Sequence, residues 1–248
     1  MPDLTAAHHL PNLRRDREPP SQGWLPRQRR GTTPQMIGRY PDFDVFDAAG
    51  SWDPATRRVI EARMRLDGRA LTFFGPDEEP PLRAFCDTAL AQSEEPRVPV
   101  AEIVDEKLTA GRLDGYQYAG MPDDRDTWHL VLRGLDETAR LRHGGTAFAE
   151  LAAVDQEAIV GELAGGRLDG EVADQLNLER AWSVCMRMML SAFYSHPWAW
   201  NEIGFGGPAY PRGFMRLGPV GIREPFERPG ATDEDPVQIA DIIERERP

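Results

Sequence analysis

From Trp52 onward apolar residues recur at close to every 3.6 positions, the period of a helix with one face on a core. Ser51 or Asp53 is placed to cap a first helix with Pro54 in its opening turn, a favoured position for proline. Ala55, Val59, Ala62 and Leu66 share one face of that helix and are expected to be its core side. A second helix, entered through Pro80 and Pro81, carries Leu82, Phe85, Cys86, Ala89 and Leu90. A third, after Pro99, carries Val100, Ile103, Val104 and Leu108. Asp123, Asp124 and Asp126 lie where a helix dipole favours negative charge. They precede Trp128, Val131, Leu132, Leu135 and Ala139, with Gly144 and Gly145 closing the element. A short turn holds Phe148 and Leu151. Asp155 is expected to cap a fifth helix with Ile159, Val160 and Leu163 inside and Gly165-Gly166 at its end. The last and longest helix runs through Leu178, Ala181, Trp182, Cys185, Met189, Ala192 and Phe193 until Pro197 forbids continuation.

No alternating run of β-branched residues exceeds a few positions, so strands are not expected. The pattern predicts an all-α protein: an irregular multi-helix domain with extended, non-repetitive N- and C-terminal arms. The expected organisation is a basic, proline-rich arm over 1–50, poorly ordered alone, a helical domain over 51–218, and an acidic tail over 219–248. The tetrapeptide Arg-Leu-Asp-Gly occurs at 65–68, 112–115 and 167–170. Its spacings are unequal and its flanks differ, so it marks helix stops and not a repeat array.

Charge divides the chain more sharply than its average does. The net charge is −12 over 248 residues. Residues 1–39 hold Arg14, Arg15, Arg17, Arg27, Arg29, Arg30 and Arg39 against Asp3, Asp16 and Glu18, a net of +4, which leaves −16 for the rest. Prolines at 2, 11, 19, 20, 26 and 34 and the lack of any apolar period mean the arm has too little apolar surface to offset its ordering entropy. An acidic body excludes a non-specific nucleic-acid or anionic-membrane binder, since both require a positive field. No apolar run approaches the ~18–20 residues of a membrane span; the longest candidate, from Ala181 to Phe193, is interrupted by Ser183, Arg187 and Ser191. The pairs Arg14-Arg15 and Arg29-Arg30 suggest a twin-arginine signal, but such a signal needs an apolar stretch of ~7–15 residues after the charges. Here Asp16-Arg17-Glu18-Pro19-Pro20 and Gly31-Thr32-Thr33-Pro34 follow. The lack of a signal implies a cytoplasmic location, with export beside a partner as the alternative. Only one basic residue, Lys107, is a lysine; the arginine excess reads first as a coding bias.

The usual chemical constellations are missing: no G-x-G-x-x-G after a strand, no G-x-x-x-x-G-K-[ST] and no G-x-S-x-G. Cys86 and Cys185 lie among apolar neighbours, as two buried thiols or one disulfide, and form no zinc or iron–sulfur pattern. His8 and His9 belong to the arm, while His129 and His143 are expected to be structural or surface groups. Asp123, Asp124 and Asp126 lack the spacing of a calcium loop and are read as caps.

One segment stands apart. Residues 193–214 hold seven of the chain's 21 aromatic side chains, interleaved with Ser195, His196, Asn201, Glu202 and Arg212, on a path that prolines and glycines make non-repeating. In one reading the segment folds back over the core and His196, Asn201 and Glu202 tie down loop backbone. In another, part of it docks a second protein through His196, Trp198, Trp200, Asn201, Glu202, Phe205, Tyr210 and Arg212, since Trp, Tyr and Arg are the usual interface anchors. A third makes His196 and Glu202 a metal or acid–base pair, but no third ligand or nucleophile accompanies them.

At this segment the chain resembles the gluconate 2-dehydrogenase subunit 3 family. The order of features that carries the resemblance runs over about residues 53–218: Leu82-Arg83-Ala84-Phe85-Cys86-Asp87, Leu135-Asp136-Glu137-Thr138-Ala139, Phe148-Ala149-Glu150-Leu151, Asp155-Gln156 and a late long helix. The most specific part is Phe193-Tyr194-Ser195-His196-Pro197 with Trp200-Asn201-Glu202-Ile203-Gly204-Phe205, continuing to Gly213 and Gly218. The resemblance implies a non-catalytic small subunit that binds, stabilises or matures a larger flavin-dependent dehydrogenase of the glucose–methanol–choline type. FAD would be on the partner and no cofactor on this chain. The partner would oxidise a sugar, a sugar acid or another alcohol. Members commonly carry a twin-arginine signal, and this sequence departs from them there. The resemblance assigns no catalytic residue. Two other readings stand beside it: a stand-alone enzyme using His196 and Glu202, and a protein-binding scaffold unrelated to redox chemistry.

Overall fold

A computed structural model describes residues 44–93, 97–113, 115 and 117–208. The helices are α1 (Pro54–Met64), α2 (Glu79–Ala89), α3 (Val100–Thr109), α4 (Asp124–Arg142), α5 (Ala153–Ala164), α6 (Glu171–Gln175), α7 (Leu178–Phe193) and α8 (Pro197–Ile203). There are 3₁₀ turns at Val45–Ser51 and Phe148–Glu150. The described residues include no strand, and the protein is all-α as its periodicity requires. Two compact units divide the chain. The first takes in the described residues before Leu66, Arg97, and those from Tyr194 on; the second comprises Leu66–Ser93 and Val98–Phe193. The arm through residue 43 and the tail from 209 lie outside the described residues. The 3₁₀ turn at Val45–Ser51 begins inside the stretch assigned to the arm.

The second unit is built around α4, which packs on α2, α5, α6, α7 and the 3₁₀ turn at Phe148–Glu150. Asp123 caps α4 by accepting from Asp126 N, and His143 stands at its C-terminus. Trp128 is fully enclosed, edge-on to Phe74 and Phe85 at centroid distances of 6.1 and 6.0 Å. Leu82, Phe85, Val104, Leu108, Leu135, Ile159, Leu163 and Met189 complete the core predicted from the sequence. Cys86 and Cys185 are buried free thiols, and burial pushes both well above their ordinary pKa. The Asp105 carboxylate of α3 accepts from the backbone N–H groups of Thr72, Phe73 and Phe74, at 2.9, 2.8 and 3.1 Å, and from the Thr72 hydroxyl. The loop before α2 is thus wrapped around an internal anion. Gln92 clamps another loop, accepting from Val98 N at 2.7 Å and donating to Val98 O at 3.1 Å. At the surface Lys107 Nζ of α3 donates to Ser191 Oγ of α7 at 2.8 Å. Arg142 joins Glu162 at 2.9 Å and Asp169 at 2.7 Å, and these hydrogen bonds raise its pKa further.

Several local expectations are corrected. Ala55, Val59 and Ala62 do share a face of α1, but it faces solvent, with Val59 52 % exposed; Ile60 and Met64 are buried instead. The larger side chains four residues apart give more buried apolar area than alanine and valine, and they decide the orientation. Asp53, and not Ser51, caps α1, accepting from Thr56 N at 2.8 Å. Ala152 is the N-cap of α5, and Asp155 lies in its first turn. The longest helix is α4 with 19 residues; α7 has 16 and is not the last.

Arg-Leu-Asp-Gly coincides with a helix end only in its first copy, where Arg65 is the C-cap of α1. In α3 and α5 the helix ends one step earlier, on Gly111 (φ +64°) and Gly166 (φ +74°). Each glycine N–H, and the N–H of the arginine after it, returns to carbonyls of the last turn: Gly111 to Leu108, Arg112 to Lys107, Gly166 to Leu163, Arg167 to Glu162. This is the Schellman arrangement, which needs a left-handed residue. In α2 the same arrangement is closed by Ala91 at φ +53°, with Ala91 N donating to Thr88 O and Gln92 N to Asp87 O.

Candidate functional site

The aromatic segment was expected to follow an irregular path, yet its centre is the regular helix α8. Proline has no N–H to lose at a first helical position and its φ is already helical, so Pro197 starts this helix as well as ending the possibility of extending α7. His196, in extended conformation, caps it: Nδ1 accepts from Trp198 N at 3.3 Å. Gly204, left-handed at φ +68°, closes it, and Phe205 N donates to Trp200 O at 2.9 Å.

Around α8 the first unit is held by long-range contacts. Asn201 Oδ1 accepts from Val45 N at 2.8 Å, joining α8 to the 3₁₀ turn at Val45–Ser51. Trp200 Nε1 donates to Tyr194 O at 2.7 Å. Arg63 Nη1 donates to Ser195 O at 2.8 Å while its guanidinium lies 6.0 Å from the Trp200 ring centre, within the range of a cation–π contact. Trp200 meets Phe205 edge-on at 5.7 Å, His196 meets Trp198 at 5.0 Å, and Phe46 meets Trp52 at 5.9 Å. Gly207 (φ +79°) comes so close that a Cβ there would stand 3.0 Å from Val45 Cγ2 and 3.3 Å from Trp52 Cζ2.

Two titratable groups in this packing are driven to their neutral forms. His196 is 1 % exposed; burial, helped by the nearby Arg63 charge, pushes its pKa down to about 3. Its Nδ1 lone pair is engaged by a backbone N–H, so the ring acts as a neutral acceptor. Glu202, 5 % exposed, is pushed up to about 8 by burial alone. Its Oε2 is sealed from solvent and accepts no hydrogen bond, and the buried Nε1 groups of Trp52 and Trp198 have no acceptor.

Of the residues singled out in the sequence, His196, Trp198, Trp200, Asn201 and Glu202 are brought together and buried, and Phe205 is half-buried. Tyr210 and Arg212 lie outside the described residues. Among the described residues of the same stretch, the exposed large apolar groups are Tyr194 and Ile203, at 49 and 39 %. His196 and Asn201 tie down backbone as the inward-folding reading expected. The shift at Glu202 is caused by burial alone. Among the described residues no three His, Cys, Asp or Glu side chains are grouped to hold a metal. Sequence reasoning missed Arg63 and Val45, whose roles depend on contacts 132 and 156 positions away.

In the second unit His129 Nδ1 lies 2.5 Å from Glu78 Oε1, and Phe73 is stacked on the imidazole at 4.8 Å. Glu78 Oε2 also accepts from Gly75 N, so this pair braces the loop that Asp105 wraps.

The fold and site define a class: an all-helical protein in which the aromatic helix α8, the last among the described residues, is capped and tied from within, and no described helix is long and apolar enough to cross a membrane. The chain belongs to the gluconate 2-dehydrogenase subunit 3 family, whose model matches residues 76–207 and so takes in α2 through α8. By its description the family is one of subunits, proteins that work in a complex. No curated protein and no solved structure matches the chain.

Proposed function

We propose that this chain is the non-catalytic small subunit of a larger FAD-dependent dehydrogenase of the glucose–methanol–choline type, which it binds, stabilises and helps to mature. The partner carries the flavin and oxidises a sugar, a sugar acid or another alcohol; this chain carries no cofactor. The observation that supports the reading most is the family match, which extends through α8 to Gly207. The chemistry of α8 favours a structural part over a catalytic one: a histidine held neutral as a helix cap and a glutamate shifted by burial alone make no proton relay.

Co-expression with the products of neighbouring genes tests it. The chain should co-elute with a large protein that shows a flavin absorption spectrum, and that protein should lose solubility when expressed without it. Elution alone beside an active, soluble flavoprotein contradicts the proposal. Turnover of a substrate by the isolated chain, abolished by His196→Ala in a folded variant, supports the stand-alone enzyme instead.

A further inference from the structure

A helix that buries one face in a core ordinarily presents polar groups on the other. α1 buries Ile60 and Met64, yet its outward face carries Ala55, Val59 and Ala62 at helical spacing, with Val59 52 % exposed. Arg58 and Arg65 are exposed on the same side. The element is also locally basic: from Pro54 to Arg65 it holds Arg57, Arg58, Arg63 and Arg65 against Glu61, in a body that is otherwise strongly acidic. An occupant suited to this face is both apolar and acidic.

That requirement selects one segment. A second copy packed face to face would bring the same arginines against these, and the N-terminal arm, +4 over residues 1–39, meets the same repulsion. Residues 209–232 hold Arg212, Arg216, Arg223 and Arg228 against Glu224 and Glu227. Residues 233–244 reverse the balance. Asp233, Glu234, Asp235, Asp241 and Glu244 are opposed there by no base, and they accompany Val237, Ile239, Ala240, Ile242 and Ile243. In sequence, Asp235 followed by Pro236 has the order of a helix start, and Ile239, Ala240 and Ile243 share the spacing of one helical face. The route is short as well. Pro208 is the last described residue, and a Cβ on Gly207 before it would stand 3.3 Å from Cζ2 of Trp52, the residue next to the α1 cap Asp53. The chain therefore leaves the described residues beside the start of α1. The 24 residues from 209 to 232 can span up to about 80 Å, and α1 with 11 residues is about 16 Å long, so reach sets no limit.

We propose that residues 233–244 of the same chain dock on the outward face of α1, with Ile239 and Ile243 against Val59 and the acidic side chains beside Arg58 and Arg65. The contact is internal to the chain and holds whether or not the accessory-subunit reading does.

Labelling of full-length Val59→Cys by a soluble thiol reagent tests it, because Cys86 and Cys185 are buried. A face covered about nine-tenths of the time labels roughly tenfold more slowly than an open one. The added cysteine should therefore react roughly tenfold faster once Ile239→Asp and Ile243→Asp are introduced, and Arg58→Glu should also raise its rate. Tryptophan fluorescence checks that each variant keeps the fold. The full chain carrying Val59→Cys with Ile239→Cys should close an intramolecular disulfide under mild oxidation, seen by mass spectrometry of the digest. A Val59→Cys rate that the tail substitutions leave unchanged overturns the proposal. So does slowing that grows with protein concentration, which assigns the face to a second copy, or slowing seen only with the flavoprotein added, which assigns it to the large subunit.

Discussion

Single residues in this protein do opposite things with buried charge. The Asp105 carboxylate is fully supplied with donors, whereas His196 is neutralised by burial and the nearby Arg63 charge, and Glu202 by burial alone. Replacing Asp105 by alanine strands three backbone N–H groups and should cost on the order of 3 kcal/mol, measurable by urea denaturation. The other two set a pH profile for the first unit. The folded pKa of His196 lies at about 3 against an ordinary 6.5, so its contribution is complete above pH 6.5 and is lost as the pH falls toward 3. That of Glu202 lies at about 8 against 4.5, so its contribution is complete below pH 4.5 and is lost as the pH rises to 8. Between 4.5 and 6.5 the gain and loss offset each other. Stability, followed by tryptophan fluorescence in urea, should be level there and fall on both sides. Glu202→Gln should abolish the alkaline fall while sparing the acid one; a wild-type midpoint unchanged from pH 6.5 to 8 contradicts the assignment.

At the scale of elements, the sequence announced those whose large apolar residues set a clear period. For α2, α3, α4, α5 and α7 the faces carrying Leu82, Val104, Trp128, Ile159 and Met189 point inward as their spacing requires. The face of α1 was misjudged because alanine and valine also repeat at helical spacing, and the pattern does not weigh the larger Ile60 and Met64 against them. α6, with five residues, is too short to show a period, and in α8 nearly every position is apolar or buried, so no face stands out. Within the candidate site the residue types were legible, but the direction each one faces was not. That depends on Val45 and Arg63, which reach α8 only through the tertiary fold. Two substitutions probe element ends. Ala91→Gly relieves a left-handed alanine at an exposed Schellman position and should stabilise the protein by roughly 1 kcal/mol. Gly207→Ala should do the reverse, combining φ +79° with a contact on Val45 and Trp52, and thermal denaturation distinguishes the two signs.

The whole molecule is an acidic body with an arginine-rich beginning, and its charge bears on association more than on fold. If the −16 of residues 40–248 meets a basic surface, the affinity of the purified complex should fall as salt is raised through the range where the Debye length shrinks from about 10 to 3 Å. An affinity independent of salt excludes that contribution. The contact of Lys107 with Ser191 bears on how such a complex can be mapped. It engages the single side-chain amine in the sequence, at the surface between α3 and α7. Amine-directed reagents therefore have one side-chain target in 248 residues. A fluorophore or cross-linker placed there reports from one known point, and any shielding of that point by a bound subunit can be read directly as a change in labelling rate.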